Sequence, residues 1–272
     1  MRNILYAGLV GILLISGYSV MAANDNSVTM NGSTTVLPIA QKAAEEFMKK
    51  HPDINVSVRG TGSGDGIKAL LDGATDIANS SRAMKKEEKE SAGRKGVNPI
   101  EHQIALDAIV PIVNPSNPVT NLTMDQIKAI YVGVITNWRE LGGENKDIVV
   151  ISRDSSSGTY EFFVEYVLKK ERPMPECLLQ ASNGAVAQAV AKNKYAIGYV
   201  GLGYVNKDVK ALTVNNVKAS VETVHDRSYP IWRPLYMYTN GEPAGNVKVF
   251  IDFVKSDEGQ KIAEQEGFVS LK

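Results

Sequence analysis

The sequence predicts an α/β protein of two lobes joined by two crossings of the chain, and three observations predict it. Strand-like and helix-like stretches alternate at intervals that suit a largely parallel sheet. A second run of the same alternation starts at "KDIVVISRD". Long apolar stretches, "IALDAIVPIV" and "YPIWRPLYMY", stand where one run gives way to the other. A chain of 272 residues is long for one compact unit and comfortable for two lobes. Apolar residues at 43% and charged residues at 22% are ordinary for a globular protein and speak against disorder or a coiled coil. With 30 basic and 30 acidic residues the formal charge is zero, so wholesale attraction to nucleic acid or an anionic membrane is not expected. Any anion chemistry has to come from local geometry.

The elements follow in chain order. Residues 1–22 read as a secretory signal peptide: Arg2, an apolar run from Ile4 to Ile15, and small residues at Val20, Ala22 and Ala23, with cleavage expected after Ala22. Its removal leaves 29 basic against 30 acidic residues. Ala22 and Ala23 stand where a lipid-bearing cysteine would be needed, and Cys177 is the only cysteine, so neither a lipid anchor nor an intrachain disulfide is expected. Export as an unanchored protein follows. "SVTMNG" is a strand; "PIAQKAAEEFMKKHP" has helical spacing through Ile39, Ala43 and Phe47, with Pro38 in the first turn and Pro52 beyond the stop. "INVSVRG" alternates like a half-buried strand, "IKALLDG" is helical, "TDIANSS" is a short strand, and "KKEEKE" is a solvated helix face. The first crossing leads past Pro115 and Pro118 into a helix that begins near Thr123. In the second run "KDIVVISRD" and "AIGYVGLGYV" are strands, while "TYEFFVEYVLKK" and "NGAVAQAVAKN" are helices. "YPIWRPLYMYTN" crosses back as a strand, and "VKVFIDFVKSDEGQKIAEQEG" closes with a helix pair. The expected division is 24–108 with 226–272 for the first lobe and 109–225 for the second.

Three junctions share one design. "NGSTTVLP", "RGTGSGDGIKALL" and "SRDSSSGTYEFF" each run from strand through small and hydroxyl residues into a helix. Helix starts offer free N–H groups and the positive dipole end, and Ser or Thr adds uncharged donors, so such junctions suit an anion. Each alone reads equally as an N-cap and a turn. Three of them spread over both lobes point to one site where the lobes meet.

These segments, together with "VRGTGSGDGIKALLDGATDIANSSRAM" and "ITNWRELGG", resemble the periplasmic phosphate-binding proteins of phosphate ABC importers over nearly the whole mature chain. The resemblance implies a Venus-flytrap (type II) periplasmic binding fold that holds dehydrated inorganic phosphate between its lobes and delivers it to ABC permease subunits, as a periplasmic monomer with no cofactor. It implies backbone and hydroxyl donors at Thr34 and Thr35, a hydroxyl donor at Ser63, a charged Arg153, and donors at Ser157, Gly158 and Thr159. Ser33 and Ser156 are further candidates beside them. Well-known members place an aspartate after the third strand as acceptor for a protonated phosphate oxygen; here that position is Ser81, followed by Arg82. Asp107 is either a substitute acceptor or a hinge brace, and Arg82 either a cleft cation or a surface residue.

Other functions are weighed on the same residues. A phosphate-ester hydrolase would need a serine elbow and a histidine, but Thr61 and Ser155 stand two residues before Ser63 and Ser157 where an elbow has glycine. His51, His102 and His225 are scattered without metal-ligand spacing, so no metal is expected. "GTGSGDG" lacks the G-K-[ST] of a nucleotide loop. A carrier of another tetrahedral oxyanion, sulfate above all, stays open because of Ser81. Trp138 and Trp232 are read as packing residues.

Overall fold

The computed structural model describes residues 26–272, so the signal-peptide reading lies outside the described residues. The first lobe opens with β1 (Ser27–Gly32), α1 (Leu37–Lys50), β2 (Asn55–Gly60), α2 (Ser63–Leu71), β3 (Ile77–Ser80) and α3 (Lys86–Arg94). The apolar stripe of α1 buries Ile39, Ala40, Ala43, Ala44 and Phe47, and the His51 N–H closes its last turn onto the Phe47 carbonyl. Helix α2 starts at Ser63, four residues before the expected "IKALLDG", because Gly62 at φ 120° turns the backbone sharply into it.

The fifteen residues of β4 (Pro99–Val113) carry the chain across. Then come β5 (Asn121–Leu122), α4 (Met124–Tyr131), β6 (Val149–Arg153), α5 (Gly158–Phe162), β7 (Leu178–Gln180), α6 (Asn183–Lys192), β8 (Ala196–Gly201), β9 (Lys210–Ala211), β10 (Thr213–Val214) and α7 (Val221–His225). Thr123 caps α4 by accepting from the Gln126 N–H at 3.1 Å. The stretch "TYEFFVEYVLKK" is not one regular helix: α5 gives way to a wider π-type turn over Phe163–Val167. The stretch "AIGYVGLGYV" leaves strand geometry at Gly201 and tightens into a short 3₁₀ turn, Leu202–Tyr204. Strand β11 (Trp232–Asn240) returns, and α8 (Gly245–Lys255) and α9 (Asp257–Gln265) pack beside α1.

Strands run in the order β2-β1-β3-β11-β4-β8-β6-β7, with β9 also on β4. The expectation of largely parallel sheets holds for the flanks only. The pairs β1–β2, β1–β3, β6–β8 and β6–β7 are parallel, whereas β3–β11, β11–β4 and β4–β8 are antiparallel. The reason is the crossings: a strand that returns to the first lobe must run against the one that left it. Residues Pro99–Ala108 of β4 pair with β11, and Ile109–Val113 pair with β8. One strand therefore belongs to both lobes. The buried apolar residues divide accordingly: one cluster is built mainly from Ala108 through Ile231, and two others from the first lobe's segments. Among the described residues no helix is long and apolar enough to cross a membrane.

Candidate functional site

The three hydroxyl junctions meet at the junction of the lobes, and there Ser33, Thr34, Thr35, Ser63, Ser81, Ser157 and Thr159 are all buried. In the first junction the Ser33 hydroxyl accepts from the N–H groups of Thr35 (3.1 Å) and Val36 (3.3 Å). Ser33 thus shapes the turn, and the Thr35 N–H expected as a ligand donor is spent on it. The Thr35 hydroxyl is what reaches the cluster, 3.0 Å from the Thr159 hydroxyl of the other lobe. In the second junction the Ser63 hydroxyl accepts from the Ser81 N–H at 3.1 Å and stands 3.3 Å from the Ser81 hydroxyl.

In the third junction Ser157 caps α5, accepting from the Tyr160 N–H at 3.2 Å. The first N–H groups of α5, those of Gly158 and Thr159, have no carbonyl one turn earlier to receive them. Gly158 lies so close to the first lobe that a Cβ on it would come within 2.3 Å of Ser63 Oγ and 2.9 Å of Ser81 Oγ. Ser156 has another job. Its carbonyl accepts from the Gly64 N–H at 3.0 Å and its hydroxyl lies 3.1 Å from the Thr61 carbonyl, so it staples the lobes together.

Charge comes from two buried arginines. Arg153, at the end of β6, donates through Nε to the Gln180 carbonyl (2.9 Å) and through Nη2 to the Ala181 carbonyl (3.0 Å), and its buried Nη1 has no protein partner. The second arginine, Arg233, was not among the residues anticipated. It sits on β11 opposite Asp107 of β4. Its Nε and Nη2 donate to Asp107 Oδ2 at 3.0 and 2.8 Å, and Nη2 also reaches Thr35 Oγ1 (3.2 Å) and Thr159 Oγ1 (3.0 Å). Burial pulls both guanidinium groups below their ordinary value, yet arginine stays protonated in proteins.

Asn183, also unanticipated, opens α6 and donates through Nδ2 to Thr34 Oγ1 and Thr35 Oγ1, both at 3.0 Å, while its Oδ1 accepts from the Gly201 N–H. Arg233 Nη2 has two hydrogens for three acceptors, Asp107 Oδ2, Thr35 Oγ1 and Thr159 Oγ1, so its donation is shared, and either hydroxyl of the Thr35–Thr159 pair can donate to the other.

Asp107 is committed within the protein: Oδ1 accepts from the Leu202 N–H at 2.9 Å, Oδ2 accepts from Arg233, and the group is fully buried. Burial raises its carboxyl above the ordinary carboxylate range, against the pull of Arg233. Arg82 is buried as expected of a cleft residue, but its charge is spent. It pairs with Glu88 of its own lobe and Glu161 of the other, and Lys85 joins Glu161 as well. Serving the ligand would require breaking those pairs. A groove of about 1000 Å³ adjoins this network, with Arg82, Tyr160, Phe162, Arg233 and Tyr236 in its wall. Neither Ser63 nor Ser157 hydrogen-bonds to a histidine or carboxylate. Trp138 is buried and donates to the Tyr195 carbonyl, a packing role, and Trp232 lies under the Arg227 guanidinium.

The sequence profile of the PBP superfamily domain matches residues 19–258. The phosphate-binding protein PstS of Bacillus subtilis is 37% identical over 90% of this chain and 81% of that protein. The chain belongs to the phosphate-binding-protein family of that superfamily. A second family member, the phosphate-binding protein PstS of Staphylococcus saprophyticus, is 38% identical over 91% of this chain and 81% of its own length. Among solved structures, a protein from Clostridium perfringens described as a phosphate ABC transporter substrate-binding protein, with bound phosphate, superimposes at a TM-score of 0.86. It is 39% identical, over 91% of this chain and all of that one (100%). An ABC-type phosphate transport receptor from Vibrio cholerae superimposes at 0.73 with 33% identity, over 89% and 99% of the two chains. The family's two-lobed fold is the one described above.

Proposed function

We propose that this chain is an exported carrier that captures inorganic phosphate between its lobes, in the periplasm and as a monomer, and hands it to the permease subunits of an ABC importer. One observation carries the proposal: both lobes and the strands between them deliver uncharged donors and two incompletely paired guanidinium groups to a single buried cluster, in a chain whose relative was solved with phosphate bound. Donors to a charged ligand in such a cleft contribute about 1.5–3 kcal/mol each. A handful offsets the cost of stripping water from the anion without a net positive protein.

Binding rather than turnover is the proposed activity, because neither Ser63 nor Ser157 hydrogen-bonds to a base that could activate it. The core clusters support the lobe division 24–108 with the C-terminal segment, and 109 onward for the second lobe. Because Tyr229 and Ile231 pack in the second lobe's cluster, we place the return crossing at Ile231/Trp232 rather than at 225/226. A sulfate-class ligand is the second reading, supported by the serine at position 81 and by the commitment of Asp107 to Arg233.

The test is calorimetric titration of the mature, ligand-stripped protein with phosphate, sulfate and molybdate. One-to-one phosphate binding with no heat of turnover is expected. A protein that takes sulfate in preference keeps the site and loses the substrate; one that binds no oxyanion loses the proposed function.

A further inference from the structure

We infer that Arg233 is itself a ligand-binding residue, meeting the oxyanion through Nη1, and that Asp107 is the internal counterion that holds it ready; this rests on the oxyanion-carrier reading above. Arginine has five N–H donors. Those on Nε and Nη2 are directed at Asp107, Thr35 and Thr159, whereas Nη1 is buried with no protein partner in a side chain of 0% exposure. A buried cationic donor without an acceptor is costly, and native proteins keep one chiefly where a ligand completes it.

The neighbouring carboxylates are all committed. Asp107 is held by Arg233 and the Leu202 N–H, Asp154 accepts from Ser156, and Glu161 is paired with Arg82 and Lys85. The Phe162 ring, 5.9 Å from Arg233 Cζ, closes another side with its π face and offers no hydrogen-bond acceptor of ordinary strength. Arg153 Nη1 is unpaired in the same way. Each of the two guanidinium groups keeps a buried Nη1 without a protein acceptor, and an oxyanion supplies acceptors to both.

Position adds a consequence. Arg233 lies at the start of β11, just past the return crossing, and Asp107 on β4 at the outgoing one, while Thr35 and Thr159 come from the two lobes themselves. The hinge therefore supplies a cation that contacts a hydroxyl from each side. Bound anion shares Arg233 with Asp107, so removing the carboxylate should make the fold depend more on ligand, not less.

The experiment uses the ligand-stripped full-length mature protein, with inorganic phosphate as probe and sulfate as a second arm, read by calorimetry, thermal melting and circular dichroism. Arg233→Gln is expected to weaken phosphate binding by about a hundredfold with an unchanged spectrum, the usual result of truncating a desolvated charge. Arg233→Lys, which keeps the charge but not the planar fork of N–H donors, is expected to lose about tenfold and serves if the glutamine variant fails to fold. Asp107→Asn is expected to melt lower when empty, yet to gain a larger phosphate-induced rise in Tm than the wild type. Phosphate binding within threefold of wild type in a folded Arg233 variant overturns the inference, as does an Asp107→Asn rise no larger than wild type. A wild type that binds sulfate but not phosphate overturns the choice of substrate alone, and the same variants then test Arg233 on sulfate. Binding of neither anion overturns both.

Discussion

Thr159 is the residue where the two lobes and a buried charge meet, since its hydroxyl lies 3.0 Å from both Thr35 Oγ1 and Arg233 Nη2. Thr159→Ala and Ser63→Ala are each expected to weaken phosphate binding more than tenfold with the fold intact, the loss of about one charge-assisted hydrogen bond. Unchanged affinity in both, measured by calorimetry, would remove them from the site. Arg153→Ala should cost more than either. Its guanidinium rests on two backbone carbonyls that accept from it but bring no countercharge, and Asp154, whose charge it feels, makes no hydrogen bond to it. Cys177 stands apart: burial pushes its thiol up to about 11, which leaves it protonated and unreactive at neutral pH.

Helix α5 joins the lobes at the scale of the element. Its N-terminus faces Ser63 and Ser81 across the junction of the lobes, and one turn on, Glu161 pairs with Arg82 and Lys85 of the first lobe. Gly158→Ala puts a methyl group into that contact. The expected result is weaker phosphate binding and a larger radius of gyration in solution scattering with phosphate present, because the lobes cannot approach fully. A normal closed radius would show that the neighbouring hydroxyls simply give way. Glu161→Gln leaves the donor turns intact but unpairs Arg82 from the second lobe. Partly shielded ion pairs of this kind contribute on the order of 1–2 kcal/mol, so about tenfold weaker binding is expected, with less salt dependence than the wild type. Equal affinity at low and high salt in both proteins would reduce the network to surface decoration.

The whole molecule is organised by β4 and β11, which pair with each other over Pro99–Ala108 and Trp232–Asn240. Donors from both lobes meet at one place only in an arrangement as close as this one, so a ligand held by all of them would favour it over an opened form. The same ribbon carries an acid-sensitive group. His102 on β4 is buried with its Nε2 2.9 Å from Thr239 Oγ1 on β11, and burial lowers its pKa. The unfolded chain takes up that proton at about pH 6.5, before the folded chain does. Its contribution to stability is therefore complete above that pH and is lost as pH falls through the lowered folded value. A plot of Tm against pH is expected to drop on the acid side, and His102→Gln should flatten the drop. An unchanged acid limb would assign the sensitivity to other groups.

The local pattern by itself determined most elements and the three donor turns. Period, capping residues and glycine placement act within a few residues, so Thr123 marks its helix start and the Ser157-Gly158-Thr159 triplet marks a donor-rich one wherever the lobes lie. Only the tertiary structure decided which charges are paired inside the protein. Arg82, beside the donor turn, is drawn off by Glu161 from seventy-nine positions away, and Asp107 by Arg233 from one hundred and twenty-six away. Arg233 and Asn183 entered the cluster unannounced. The one local sign was a charged residue between Trp232 and Pro234 in an otherwise apolar strand. Ion pairing depends on distance in space, and the antiparallel pairing of β4 with β11 sets that distance. No spacing along the chain encodes it.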